Sequence, residues 1–163
     1  MRSKNTIIAL NKNRLESLAD GLFAIVMTLL VLELSVPAIT GSSVSSELTG
    51  KLIELWPKAL TYILSFILLG LVWGDHHAMF HYVVRSDGKL AWMNIILLMF
   101  VALVPFSTSL LGSYSGTRVA AVIYGINFLI ILGMHWLTWR YINRESTLTD
   151  KDLLLPRQAQ PYP

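Results

Sequence analysis

The sequence predicts an all-α integral membrane protein with four transmembrane helices. Three observations predict it. The 163 residues are 54% hydrophobic and only 14% charged, against about 25% charged in an ordinary soluble domain. The mean hydropathy is +0.57. The charges are also spaced so that long uncharged stretches lie between them. A helix crossing the ~30 Å hydrocarbon core needs about 20 mostly apolar residues.

The first span is read near residues 16–38. Asp20 and Glu33 enclose twelve uncharged residues, and the apolar run continues to Ile39. The second, near 57–83, contains sixteen uncharged residues between Lys58 and Asp75. The third, near 90–113, lies within the twenty-eight between Lys89 and Arg118. The fourth, near 117–141, contains twenty-one between Arg118 and Arg140, with His135 as its one histidine. These runs do not alternate as barrel strands do, and open strands in lipid would leave backbone groups unsatisfied. A signal-peptide reading of residues 22–34, cut after Val36-Pro37-Ala38, is opposed by the long preceding segment with Glu16 and Asp20.

Residues 40–51 are rich in Ser, Thr and Gly and are predicted to be a surface loop. Residues 84–89 form a tight charged turn, and residues 112–117 form a turn of small residues. Residues 1–142 are read as one membrane domain. Residues 143–163 are read as a polar tail, or as the start of a further segment. The first segment, the 84–89 turn and the tail carry ten basic residues; the opposite side carries Lys51, Lys58 and Arg118. The positive-inside rule therefore puts both termini in the cytoplasm of a multi-pass cell-membrane protein. The pI of 9.3 follows from this topology. No basic stripe with stacking aromatics points to nucleic acid. Cysteine is absent, which removes disulfides and thiolate chemistry. No phosphate loop, dinucleotide fingerprint or nucleophile motif occurs, so the chain is not read as an enzyme.

Polar groups inside spans are costly and are candidate functional positions. Glu16 and Asp20 lie at i,i+4 and repel. Arg14 is six residues from Asp20, on another face, so a partner for Asp20 must come from another helix. On spacing alone, acids near the positive end of a helix describe these residues better. Gly21, Ile25, Thr28, Leu29, Leu32 and Val36 share one stripe of the first span, which suits a packed neighbour, lipid or a narrow pore equally. His77 and His81 have metal-ligand spacing, with Asp75 as a third ligand only if the helix bends. A polar cluster at the headgroups anchored by Trp73 is the favoured reading there. Asn94 needs a partner. Pro105 is predicted to kink the third span and to free the Val101 carbonyl, with Ser107 and Thr108 available to satisfy it. His135 is read as a hydrogen-bonding group within the bundle.

The segment Arg14-Leu15-Glu16-Ser17-Leu18-Ala19-Asp20, followed by Gly21-Leu22-Phe23-Ala24-Ile25-Val26-Met27-Thr28, resembles the Arg-x-x-x-Phe-Ser-Asp motif of the transmembrane protein 175 family of potassium channels. Trp73 to His77, Asn94 and Pro105-Phe106-Ser107-Thr108 are similar to that family's second and third helices. The resemblance covers about residues 10–141. It departs at Leu18 and Ala19, which replace the motif's Phe and Ser, and in showing four helices where the family has six per repeat. It implies a homotetramer in the lipid bilayer, with the first helix lining a central pore and potassium as the permeant ion, without a cofactor. It implies a hydrophobic constriction at Ile25, five residues after the motif Asp, continued by Leu29 and Leu32. Thr28 matches the threonine implicated in selectivity. Arg14 and Asp20 are implied to join a polar network for which Trp73, His77 and Asn94 are the candidate partners. A metal-binding membrane transporter using His77 and His81, and a non-conducting membrane scaffold, are the alternatives.

Overall fold

The computed structural model describes residues 12–39, 44–145 and 148. All regular elements among them are helices: α1 (Lys12–Leu32), α2 (Val44–Glu54), α3 (Trp56–His81), α4 (Gly88–Ala102), α5 (Val104–Ser113) and α6 (Arg118–Arg144). Four units are long and apolar enough to cross a membrane: α1, α3, α4 with α5, and α6. Glu33, Lys58, Lys89 and Arg118 fall at or near helix ends, whereas Asp20 and Asp75 lie inside α1 and α3.

Three boundaries differ from the sequence reading. α1 ends at Leu32, not at residue 38. The Glu33 and Leu34 amides turn back to the Leu30 and Val31 carbonyls. Pro37 then holds Val36 away from helical geometry. Part of the predicted 40–51 loop is the helix α2. Lys51 pairs with Glu47 at 3.1 Å across one turn, and Glu47 sits favourably in the first turn. Residues 40–43 lie outside the described residues, as does all of the predicted tail beyond Glu145 except Leu148. The third span is interrupted at the single residue Leu103, which divides it into α4 and α5. Pro105 sits in the first turn of α5, where a missing N–H costs nothing. The freed carbonyls of α4 are met by the Leu103 amide, 3.2 Å from the Phe100 oxygen. Ser107 instead bonds the Val104 carbonyl at 3.0 Å, and Thr108 bonds Ser65 at 2.7 Å.

The 84–89 turn ends in a helix cap. Asp87 Oδ1 accepts the Leu90 amide at 2.8 Å, and Asp87 Oδ2 accepts the Tyr141 hydroxyl. That ties the start of α4 to the end of α6. At the other turn, the Thr117 amide returns to the Tyr114 carbonyl at 2.9 Å.

The helices pack around one core, with α1 seated on α3, α4 and α5, and α6 closing over α4 and α5. Ala19, Phe23, Val26 and Leu30 of α1 meet Leu69 and Val72 of α3 and Leu97, Leu98 and Val101 of α4. Toward the α1 start, Leu15 joins Met79, Phe80, Leu90 and Ile142 in a second cluster. Lipid supplies no hydrophobic drive between helices, so close approach and buried polar bonds matter more. Ser65 links Thr108 at 2.7 Å and Tyr124 at 3.1 Å, joining α3, α5 and α6. Asn127 donates to Ser107 at 3.2 Å.

At Gly112, α5 lies close against α3. A Cβ there would stand 2.8 Å from Thr61 Oγ1 and 3.2 Å from the Lys58 Cα. Thr61 cannot easily yield, since its hydroxyl is held to the Pro57 and Lys58 carbonyls. Gly112→Ala is therefore expected to destabilise the protein by about 1 kcal/mol. The check is the unfolding midpoint in detergent. Gly133→Ala, where a Cβ would meet nothing within 4 Å, should leave the midpoint unchanged or raise it.

Candidate functional site

α1 carries apolar residues on every side, so periodicity could not divide it. Packing does. Leu15, Ala19, Phe23, Val26 and Leu30 are buried, at steps of four and three residues that keep them on one face. The opposite face is left open by the chain's own fold. Ile25 is 57% exposed, Leu29 42% and Leu32 70%; Gly21 and Thr28 are exposed as well. The Thr28 hydroxyl donates to the Ile25 carbonyl at 2.7 Å. Its proton is thus committed to the helix, and its oxygen lone pairs remain on the open face.

Polar contacts fix the rotation of this helix about its axis. Asp20 Oδ1 accepts the Trp73 indole N–H at 2.9 Å. His77 Nδ1 lies 3.5 Å from Glu16 Oε1. Both pairs span one turn on each helix, with rising numbers on α1 meeting falling numbers on α3. The two acids that repel within α1 thus each find a polar partner on α3. Asp20 lies in the third turn, and the first turn holds no acid. The helix-dipole reading therefore does not apply, because that effect fades within one turn.

The network differs from the sequence expectation in three respects. Arg14 stands outside it: exposed, with no partner among the described residues, because its spacing from Asp20 turns it to a different face. His77 meets Glu16 and stacks on Trp73, ring centres 5.9 Å apart, and does not reach Asn94. The histidine that meets Asn94 is His76. Its Nε2 lies 2.8 Å from Asn94 Oδ1, a bond that places the proton on Nε2. His76 is 1% exposed, stacked on Phe80 at 4.5 Å and tilted against Phe23 at 6.1 Å. The sequence did hold a signal for it. Leu69, Val72, His76, Met79 and Val83 follow the three-and-four spacing of a buried face. His77 falls off that line.

Asn94 Nδ2 has no partner among the described residues, nor has His135 Nδ1. His135, expected to bond within the bundle, lies with its ring 6.5 Å from that of His76. His81 packs edge-on against Tyr82. No three metal-ligating side chains gather among the described residues, so the His77 and His81 spacing acquires no third ligand.

Residues 14–105 match the family described as endosomal/lysosomal potassium channel TMEM175. A potassium channel of Streptomyces collinus is 35% identical over 141 residues, covering 84% of this chain and 67% of that protein. A potassium channel of Chamaesiphon minutus is 39% identical over 131 residues, covering 78% and 64%. The chicken endosomal/lysosomal proton channel TMEM175 is 33% identical over 111 residues, covering 65% and 22%. The chain thus spans about two thirds or less of the length of these relatives. The crystal structure of a lysosomal potassium-selective channel TMEM175 homolog from Chamaesiphon minutus superposes with a TM-score of 0.73 at 37% identity. That match covers 82% of this chain and 73% of the other. These relatives are ion channels, not enzymes. The family match extends over more than half of the sequence and takes in the α1 motif, its partners on α3 and the His76–Asn94 pair; this chain is a multi-pass membrane protein of the TMEM175 potassium-channel family.

Proposed function

We propose that copies of this chain, four on the family pattern, assemble a potassium-permeable pore lined by α1. The observation that carries the reading is the open stripe of Ile25, Thr28, Leu29 and Leu32 on a helix whose other face is anchored by Asp20–Trp73 and Glu16–His77. A helix held so firmly in rotation presents the same residues in every copy. Around a symmetry axis the Ile25 side chains form an apolar constriction. Such a ring offers no oxygen to replace a hydration shell, so it gates by dewetting and wetting as its width changes. The permeant ion is potassium, as in the bacterial relatives, and no cofactor takes part. The basic-residue bias puts both ends of the chain on the cytoplasmic side of the cell membrane.

Potassium efflux from liposomes holding the purified chain tests the proposal, with sodium and proton gradients as controls. Potassium-dependent flux supports it. Absence of flux under every gradient would replace it with a non-conducting scaffold.

Thr28 supplies acceptor oxygens one turn beyond Ile25. Thr28→Val keeps the shape and removes them. The expected outcome is a loss of potassium-over-sodium preference of roughly two- to tenfold, equivalent to about 0.5–1.4 kcal/mol. Reversal potentials under bi-ionic conditions provide the check.

A further inference from the structure

At the α4 start and α6 end, the two helices enclose a cleft of about 360 Å³ lined by Lys89, Met93, Leu137, Arg140, Tyr141 and Arg144. Its volume falls within the range of small-molecule sites, about 300–1,000 Å³. The end of α6 favours Arg144 through the helix dipole, but the other local interactions oppose the cations in the cleft. Arg140 and Arg144 stand at i,i+4 and repel. Lys89 is the second residue of α4, at the end of a helix dipole that disfavours a cation. No ion pair among the described residues involves any of the three. Two carboxylates neighbour the cleft. Asp87 has both oxygens engaged, one by the Leu90 amide and one by the Tyr141 hydroxyl. Glu145 acts on Tyr141 but is exposed and pairs with none of the three cations among the described residues. Lys89 Nζ instead lies 4.5 Å from the Tyr141 ring centre, and the Arg140 guanidinium lies 5.3 Å from that of Trp136.

The rest of the cleft identifies the anion. Met93 and Leu137 lie about one turn deeper along their helices and make an apolar floor. Trp92, Trp136 and Trp139 are exposed at the same level, as aromatic residues are at the headgroup boundary. The geometry points to a site for an anionic phospholipid: phosphate held by Lys89, Arg140 and Arg144, acyl chains descending over Met93 and Leu137. Basic clefts between spanning helices take up such headgroups on the basic-rich face of a membrane. A free phosphate would share the cations but would have no use for the floor.

Native mass spectrometry of the purified full chain, titrated with phosphatidylglycerol or with phosphatidylcholine of the same acyl chains, tests this. Phosphatidylglycerol is expected to bind at least tenfold more tightly. The combined variant Lys89→Gln, Arg140→Gln, Arg144→Gln should reduce the preference to less than threefold. The charge-conserving variant Lys89→Arg, Arg140→Lys, Arg144→Lys should retain most of it, which separates charge from fold. Full preference in the glutamine variant would overturn the site. So would equal loss on changing Lys51, Lys58 and Arg118 to Gln, which would reduce the effect to general surface charge. Displacement of the lipid by millimolar inorganic phosphate would overturn the lipid assignment. The readout is lipid mass, so the result stands apart from whether the chain conducts.

Discussion

In liposomes, the Ile25→Asn variant is expected to pass potassium at least about ten times faster than the parent chain. Ile25 is 57% exposed, opposite the buried line of Ala19, Phe23 and Val26. The substitution therefore leaves the packing of the chain intact and changes only what the open face offers. In the proposed pore, an ion at an isoleucine ring keeps its water shell in a space that does not wet readily. Asparagine, of similar length, brings a carbonyl dipole and an amide to the same place from every copy. Lowering the barrier by only ~1.4 kcal/mol multiplies the rate tenfold, and a ring of polar side chains should do at least that. A bulkier residue, as in Ile25→Trp, should reduce flux by a comparable factor. Paired measurements of potassium flux at equal protein density decide it. Unchanged flux in both variants would remove Ile25 from the constriction.

The division of α1 into an anchored and an open face was not legible in the sequence, for a physical reason. Amphipathic patterning reveals a buried face only when the other side is polar, and both sides of this helix are apolar. Charges were far more informative. Gaps between Asp20 and Glu33, Lys58 and Asp75, and Lys89 and Arg118 locate the first three spans, because ionised groups are rare in hydrocarbon, although Asp20 and Asp75 lie inside α1 and α3. The motif resemblance offers Trp73 as one of three candidate partners for Asp20, with His77 and Asn94, and only the packing of α1 on α3 singles it out. The break at Leu103 was anticipated only as a kink, since Pro105 marks where a helix cannot continue but not whether a new one begins. α2 was hidden by its Ser, Thr and Gly content; its Glu47–Lys51 spacing was the overlooked sign. The Thr108–Ser65–Tyr124 chain had no sequence signal at all. Single hydroxyls in a span usually return to their own helix, as Thr28 and Thr138 do, and nothing local distinguishes those that cross.

The strongest effect on stability is expected at the buried pair His76–Asn94. In Asn94→Leu, His76 Nε2 loses its acceptor while the ring stays enclosed between Phe23 and Phe80, at 1% exposure. An unsatisfied buried polar group costs about 1–3 kcal/mol. Water cannot readily relieve it in a site within the span, so about 2–3 kcal/mol is expected. His76→Leu should cost a similar amount, since Asn94 would then have neither oxygen nor nitrogen bonded. The pair, however, is not a large net source of stability. Hydrogen bonds between spanning helices average only about 0.6 kcal/mol in double-mutant cycles, and Asn94 Nδ2 is already without a partner among the described residues. The combined variant His76→Leu, Asn94→Leu removes both polar groups together. It should therefore be less destabilised than the two single variants combined, by about 0.6–1.7 kcal/mol. Unfolding midpoints of the four proteins in one detergent measure this directly. Strict additivity would mean that the two side chains act independently and that the 2.8 Å contact does not couple α3 to α4. If the pair instead fixes α3 against α4, the face of α3 that holds Asp20 and Glu16 depends on it. Each single variant should then also weaken the hold on α1 and reduce potassium flux, even though neither residue lies on the open stripe.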